Sequence, residues 1–187
     1  MVVDPLELSL EAMKDAAVAE AIVRLGLVAT DAAPTIRELL DDETGAHPRK
    51  LCSEYRKRGQ QVPDMEKAAL GIRKNSFLSL DALNELTESG RGDPLTAHET
   101  VLLRATFSVS RYRTIHSYRG AVANGTIKAG ALSFEYEMLR CDCPSCAAMD
   151  GKKVKAEKAA IFAPATCICD TANYAILGRV DWFYDVG

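Results

Sequence analysis

Apolar residues recur at helical spacing along the first half of the chain. Asp4-Pro5 is a good helix start, since an Asp side chain caps free amides and Pro suits a first turn. The helix that it opens has one apolar face, made of Leu6, Leu10, Met13, Ala17, Ala21 and Leu25. Further short helices are predicted after Pro34, over 48–58, after Pro63 and over 80–88. The first 90 residues therefore read as a bundle of short helices.

The period of the pattern changes in the second half. A long helix is predicted from Thr96 to the stop signal at Asn124-Gly125, with a core face of Leu102, Ala105, Val109 and Tyr112. Apolar and polar residues then alternate over 132–138, as in a half-buried strand. A second β region is predicted from Tyr174 to Tyr184, with a hairpin turn at Gly178-Arg179.

A chain of 187 residues allows one compact domain or two small ones. The turn-forming segment at 90–94 is the best candidate boundary. It divides an acidic helical region, 1–92, from a second region, 95–187, that contains the long helix and most of the cysteines. Residues 1–44 hold ten acids and three bases, and five of the six cysteines fall between 141 and 169.

Charge and hydropathy restrict the function classes. The net charge of −3 argues against the whole chain being a nucleic-acid or membrane binder. No apolar run is long enough for a transmembrane helix, and the amino terminus lacks the basic segment of a signal peptide, so we expect a cytoplasmic or virion location.

The stretch 100–134 differs in charge from the rest of the chain, because it contains no acidic residue. On its helix Arg104, Arg111 and Arg119 project within about 80° of one another, which predicts an exposed basic face for DNA or a protein partner.

The cysteine spacing carries the strongest chemical signal. Cys143 and Cys146 form a C-x-x-C pair, and Cys167 and Cys169 form a C-x-C pair twenty residues later. Two close pairs at this separation are typical of a tetrahedral zinc site. Four thiolates on Zn²⁺ leave a local charge of −2, which nearby lysines can offset: Lys152, Lys153, Lys155 and Lys158. We therefore predict a structural zinc ion, with Cys141 as a substitute ligand.

Three other interpretations of the cysteines stay open. A disulfide framework would suit a secreted chain. A redox C-x-x-C would require a helix start after a strand in an α/β fold. A catalytic zinc would require an open coordination position and a nearby acid or base, a role for which Asp150 and Asp170 are candidates. We predict no catalytic residue, since no nucleophile–base pair or phosphate-binding loop is recognisable.

The stretch from Arg104 to Thr171 resembles the Mu F-type phage head-morphogenesis family, also called minor head proteins. That family has an Arg-Thr pair on a helix, a Tyr-containing turn, a strand, a C-x-x-C, an Asp-Gly-Lys stretch and a closing C-x-C. The matching residues here are, in order, Arg113-Thr114, Tyr118-Arg119, the strand at 132–138, Cys143 to Lys152 and Cys167-Ile168-Cys169.

Two positions depart from the family pattern. Pro164 stands where the family has a histidine, and Ile115 stands where an acidic residue often follows the Arg-Thr pair. The resemblance covers a little over a third of the chain and implies a role in virion assembly.

These patterns together predict an α+β protein with a helical amino-terminal bundle, one long helix and a small zinc-stapled β module at the carboxyl end. The expected function is that of a non-enzymatic assembly or interaction protein that binds a protein partner or itself and no membrane. The alternatives are a nucleic-acid-binding protein that uses the basic region 100–134, and a metal-dependent hydrolase.

Overall fold

A computed structural model describes residues 5–140 and 143–184. Its contacts divide the chain into two compact units. One unit combines the start of the chain through Met13 with 106–187, and the other spans 14–105. The sequence placed the division at 92–95, whereas this one falls within the long helix, because that helix contributes residues to both units.

The amino-terminal half is helical, as predicted. The helices are α1 (Leu10–Leu25), α2 (Ala33–Leu40), α3 (Pro48–Lys57), α4 (Asp64–Ala69) and α5 (Leu80–Asn84). Proline lies in the first turn of α2 and of α3, where the amide that it lacks has no helical partner. Helix α5 stops four residues before its predicted end.

The unit that spans 14–105 holds a partly buried carboxylate among polar partners. Glu85 accepts hydrogen bonds from Thr35 Oγ1 at 2.5 Å and from Tyr55 Oη at 2.8 Å. Its second oxygen also lies 2.8 Å from Nε2 of His98, whose side chain is fully buried. Burial acts to raise the pKa of Glu85, but the hydrogen bonds from these three side chains outweigh it and hold the pKa below 4.5. The hydrogen bonds of this cluster stabilise the charged form of the carboxylate, which the loss of hydration would otherwise destabilise.

The long helix is α6 (Ala97–Ala123), close to its predicted length. Its predicted core face is buried, with Leu102 and Ala105 fully enclosed and Val109 and Tyr112 nearly so. Within the carboxyl-terminal unit, the Tyr112 hydroxyl donates a hydrogen bond to the carbonyl of Leu8 at 2.6 Å. None of the helices among the described residues combines the length and the apolar character needed to cross a bilayer.

Three antiparallel strands form the sheet of the carboxyl-terminal unit. They are β1 (Leu132–Met138), β2 (Lys153–Lys155) and β3 (Tyr174–Val180), in the order β2-β1-β3. Strand β1 is the strand predicted at 132–138, and Phe134 on it is fully buried. Between β1 and β2 lies the four-residue helix α7 (Pro144–Ala147).

The hairpin predicted at Gly178-Arg179 is wrong, because both residues lie inside β3 and pair with β1. Gly178 has a packing role instead. A Cβ atom at this position would lie 2.3 Å from the ring of Tyr118, so only glycine lets that ring rest on the strand. The ring also meets Phe134 edge-on, with centroids 5.9 Å apart.

Candidate metal centre

The first pair of cysteines is positioned by the short helix α7: Cys143 directly precedes it and Cys146 lies within it. Cys143 precedes the helix in an extended conformation, and Pro144 occupies its first turn. The amide of Cys146 donates to the carbonyl of Cys143 at 3.1 Å, which closes a tight turn. Such a turn directs both side chains of a C-x-x-C pair towards one point.

The second pair lies on the loop before β3. The amide of Cys167 donates to the carbonyl of Pro164 at 2.9 Å, so this cysteine also sits on a turn. The hydroxyl of Ser145 links the two cysteine segments, since it lies 3.1 Å from the carbonyl and 2.9 Å from the hydroxyl of Thr166. The two pairs are thus held against each other by contacts that involve no sulfur.

The four sulfur atoms lie close enough to share one metal ion. All four are within 4.8 Å of one another. Cys143 and Cys167 are 3.9 Å apart, Cys146 and Cys167 are 3.4 Å apart, and Cys146 and Cys169 are 3.9 Å apart. A tetrahedral zinc ion with Zn–S bonds of about 2.3 Å requires sulfur atoms about 3.8 Å apart. The donor set and its spacing therefore fit zinc.

No other group of three or more metal-binding side chains comes together among residues 5–140 and 143–184. The five described cysteines are free thiols, so none of them forms a disulfide. Cys141, the predicted substitute ligand, lies outside the described residues.

The local environment acts differently on the individual thiols. The backbone N–H of Ile168 donates to the sulfur of Cys143 and lowers the pKa of this thiol to about 6, against the opposing effect of burial. Burial raises the pKa of Cys167. A divalent cation among the sulfurs would offset that effect, because metal ligation requires the thiolate.

Cys143, Cys146 and Cys167 are buried, whereas Cys169 is partly exposed. A surface depression of about 470 Å³ lies beside the cluster of cysteines. The residues that line it include Cys143, Cys169, Arg140 and Asp170. Ile168, between the two cysteines of the second pair, is 79% exposed. One edge of the site therefore faces solvent beside an apolar side chain.

The other residues that the sequence singled out lie outside the cluster of four sulfur atoms. Asp150 accepts the amide of Met138 at 2.9 Å and so ties the end of β1 to the following turn. The four lysines proposed to offset the thiolate charge are all exposed. Cys52 is fully buried on α3, and burial raises the pKa of its thiol to about 12. It behaves as a small hydrophobic residue.

The prediction of an exposed basic face at Arg104, Arg111 and Arg119 is wrong. Arg104 is 1% exposed and forms a two-pronged ion pair with Glu20 at 2.7 and 2.9 Å. Arg111 is 2% exposed, and Arg119 is partly buried and donates to the carbonyl of Ala156 at 3.2 Å. Each guanidinium has a partner within its own unit, which removes the basis for a nucleic-acid surface on this helix.

The sequence does contain a signal for this burial. Arg104, Ser108, Arg111 and Ile115 are spaced four, three and four residues apart, so they fall within about 60° of one another on a helix. All four are buried. An isoleucine and a serine on the same stripe as two arginines indicate a polar core stripe rather than a solvated face.

Comparisons of the chain with protein-family models, with curated proteins and with solved structures found no match. The resemblance to the phage head-morphogenesis family over 104–171 therefore stays a prediction.

Proposed function

We propose that this chain is a non-enzymatic interaction protein whose carboxyl-terminal module is held in shape by a structural zinc ion. The ligands are Cys143, Cys146, Cys167 and Cys169. The observation that carries the proposal is the convergence of four thiols from two segments twenty residues apart, at the spacing of a zinc–sulfur tetrahedron.

Four cysteine ligands favour a structural ion over a catalytic one. A catalytic zinc keeps one position open for water or substrate, whereas four thiolates complete the tetrahedron. The module also needs the ion energetically. Its sheet has only three strands, one of them three residues long, and so small a sheet buries little apolar surface.

Several apolar side chains on the module are exposed and available to a partner. Ile168 is 79% exposed between two of the ligands, and Leu139 at the end of β1 is 52% exposed. Trp182 and Phe183, just after β3, are 71% and 78% exposed. Aromatic side chains are enriched at protein–protein contacts, and the zinc ion would fix the loop that presents Ile168.

The setting that we propose for this interaction is phage or prophage head assembly, in the cytoplasm or in the virion. The proposal rests on the resemblance of 104–171 to minor head proteins, in particular on the order of the helix, the strand and the two cysteine pairs. Its partner would then be another head protein or a second copy of this chain.

Co-expression with the products of the adjacent genes tests the proposal, with size-exclusion chromatography as the readout. We expect the zinc-loaded chain to co-elute with one of those products or to form an oligomer. Ile168→Asp should weaken this association, whereas Met65→Asp should not, although Met65 in the other unit is 86% exposed. A chain that stays monomeric beside every adjacent gene product, or equal behaviour of the two variants, would contradict the proposed interaction.

A further inference from the structure

Arg111 connects the long helix to the loop that carries two of the four cysteines. Its Nε donates to the carbonyl of Ile161 at 2.6 Å. Its Nη1 donates to the carbonyls of Ala172 at 3.1 Å and of Tyr174 at 3.2 Å. These carbonyls lie on either side of Cys167 and Cys169 in the sequence, so one guanidinium holds both ends of the cysteine loop.

The guanidinium is itself held in a fixed orientation. Its Nη2 donates to Ser108 Oγ, one helical turn earlier, at 3.0 Å. Its central carbon lies 4.0 Å from the centroid of the Tyr174 ring, which is the geometry of a cation–π contact. Arginine is suited to this arrangement because its planar group offers several donors in a rigid fork, which a lysine cannot reproduce.

The loop needs this support at one position in particular. Ala172 is fully buried and has a φ of 46°, the left-handed conformation that residues with a side chain rarely adopt. Its carbonyl is one of the acceptors of Arg111. The contact therefore stabilises a strained backbone conformation three residues after Cys169.

We propose that Arg111 is a positioning residue for the metal site: it fixes the loop that presents Cys167 and Cys169 and places a buried positive charge in the module that holds the thiolates. This inference rests on the proposed zinc function. It predicts that Arg111 affects metal affinity although it is not a ligand, as residues that orient metal ligands generally do.

The test compares Arg111→Met and Arg111→Lys with two matched controls. Arg113→Met changes an exposed arginine two residues away on the same helix. Arg104→Met removes an equally buried arginine whose ion pair lies in the other unit. The zinc dissociation constant of each full-length variant would be measured by competition with a coloured chelator. The spectrum of the Co²⁺-substituted protein would report the ligand set.

We expect Arg111→Met to weaken zinc binding about ten- to a hundredfold while the Co²⁺ spectrum keeps its four-sulfur character. Arg111→Lys should lie between Arg111→Met and the unchanged chain. Both controls should bind zinc within about twofold of the unchanged chain, even where Arg104→Met lowers the melting temperature. Equal affinity of Arg111→Met and Arg113→Met would overturn the assignment, and so would an equal loss in Arg104→Met.

Amide hydrogen exchange over 161–172 separates this inference from the proposed function. In metal-free protein Arg111→Met should still exchange faster than the unchanged chain over these residues, because the three hydrogen bonds to the loop contain no metal. A chain that binds no zinc but shows this difference would refute the zinc function and retain the loop-holding role. Unchanged exchange would refute the role of Arg111 itself, and Ser108→Ala would repeat the test if Arg111→Met does not fold.

Discussion

Gly178→Ala tests the packing of the β module onto the long helix. The added Cβ would lie 2.3 Å from the Tyr118 ring, about 1.1 Å short of ordinary contact at 3.4 Å. Tyr118 is held by its edge-on contact with Phe134, a fully buried residue of β1, so the ring or the strand must move. Overpacking of this kind costs about 1–3 kcal/mol.

Thermal unfolding of the zinc-loaded protein measures the effect. For a chain of this length the expected loss corresponds to a fall in melting temperature of roughly 2 to 12 °C. The double variant Tyr118→Ala/Gly178→Ala should recover a large part of the loss attributable to the clash, with a coupling energy of about 1–2 kcal/mol.

Gly120→Ala is the matched control. Gly120 lies inside α6, and a Cβ there would meet no atom within 4 Å, so alanine should stabilise the helix by about 0.4–1 kcal/mol. A change in stability within about 0.5 kcal/mol for Gly178→Ala, as for a surface substitution, would show that the Tyr118 ring does not require glycine at this position.

Two further predictions concern the carboxylate cluster and the metal. The pKa of Glu85 is depressed in the folded protein, so its contribution to stability is present above its unfolded pKa, close to 4.5, and is lost as the pH falls through the folded value. Near neutral pH, Glu85→Gln should therefore be less stable than the exposed control Glu88→Gln, and it should lose less stability than that control as the pH falls below about 4.5. Amide exchange within 14–105 measures both effects. Parallel pH profiles of the two variants would contradict this prediction. Chelation of the metal should accelerate amide exchange after about residue 130 and leave 14–105 protected, because the ion stabilises only the module that contains its ligands; uniform protection with and without chelator would count against it.

The sequence predicted those features that depend on local patterns. The helices α1 to α6 and strand β1 follow from apolar spacing, from proline in first turns and from glycine after a helix end. The four cysteines could be assigned to one metal site from their spacing. The spacing within each pair reflects a local turn, and the separation of the pairs lets the chain return to the same place. Strand β2 was missed because its three residues are too few to show a period.

Features that depend on contacts between distant residues were not predictable in this way. Gly178-Arg179 reads as a turn, but Gly178 is required by a tyrosine sixty residues earlier. Arg104 and Arg111 read as a solvated face because their partners, Glu20 and the carbonyls around the cysteine loop, lie 84 and 50 to 63 residues away. The spacing of the arginines alone does not distinguish a buried polar stripe from an exposed one; the local signal of burial is the Ser108 and Ile115 that share their stripe.

Metal analysis of the protein, purified under reducing conditions without added zinc, shows whether the four cysteines hold a zinc ion. We expect close to one zinc ion per chain, with four sulfur neighbours at about 2.3 Å by X-ray absorption. We also expect that ion to be lost when Cys146, the most buried of the four ligands, is changed to Ala. A well-folded chain without metal, or a disulfide that joins any two of these four cysteines, would contradict it.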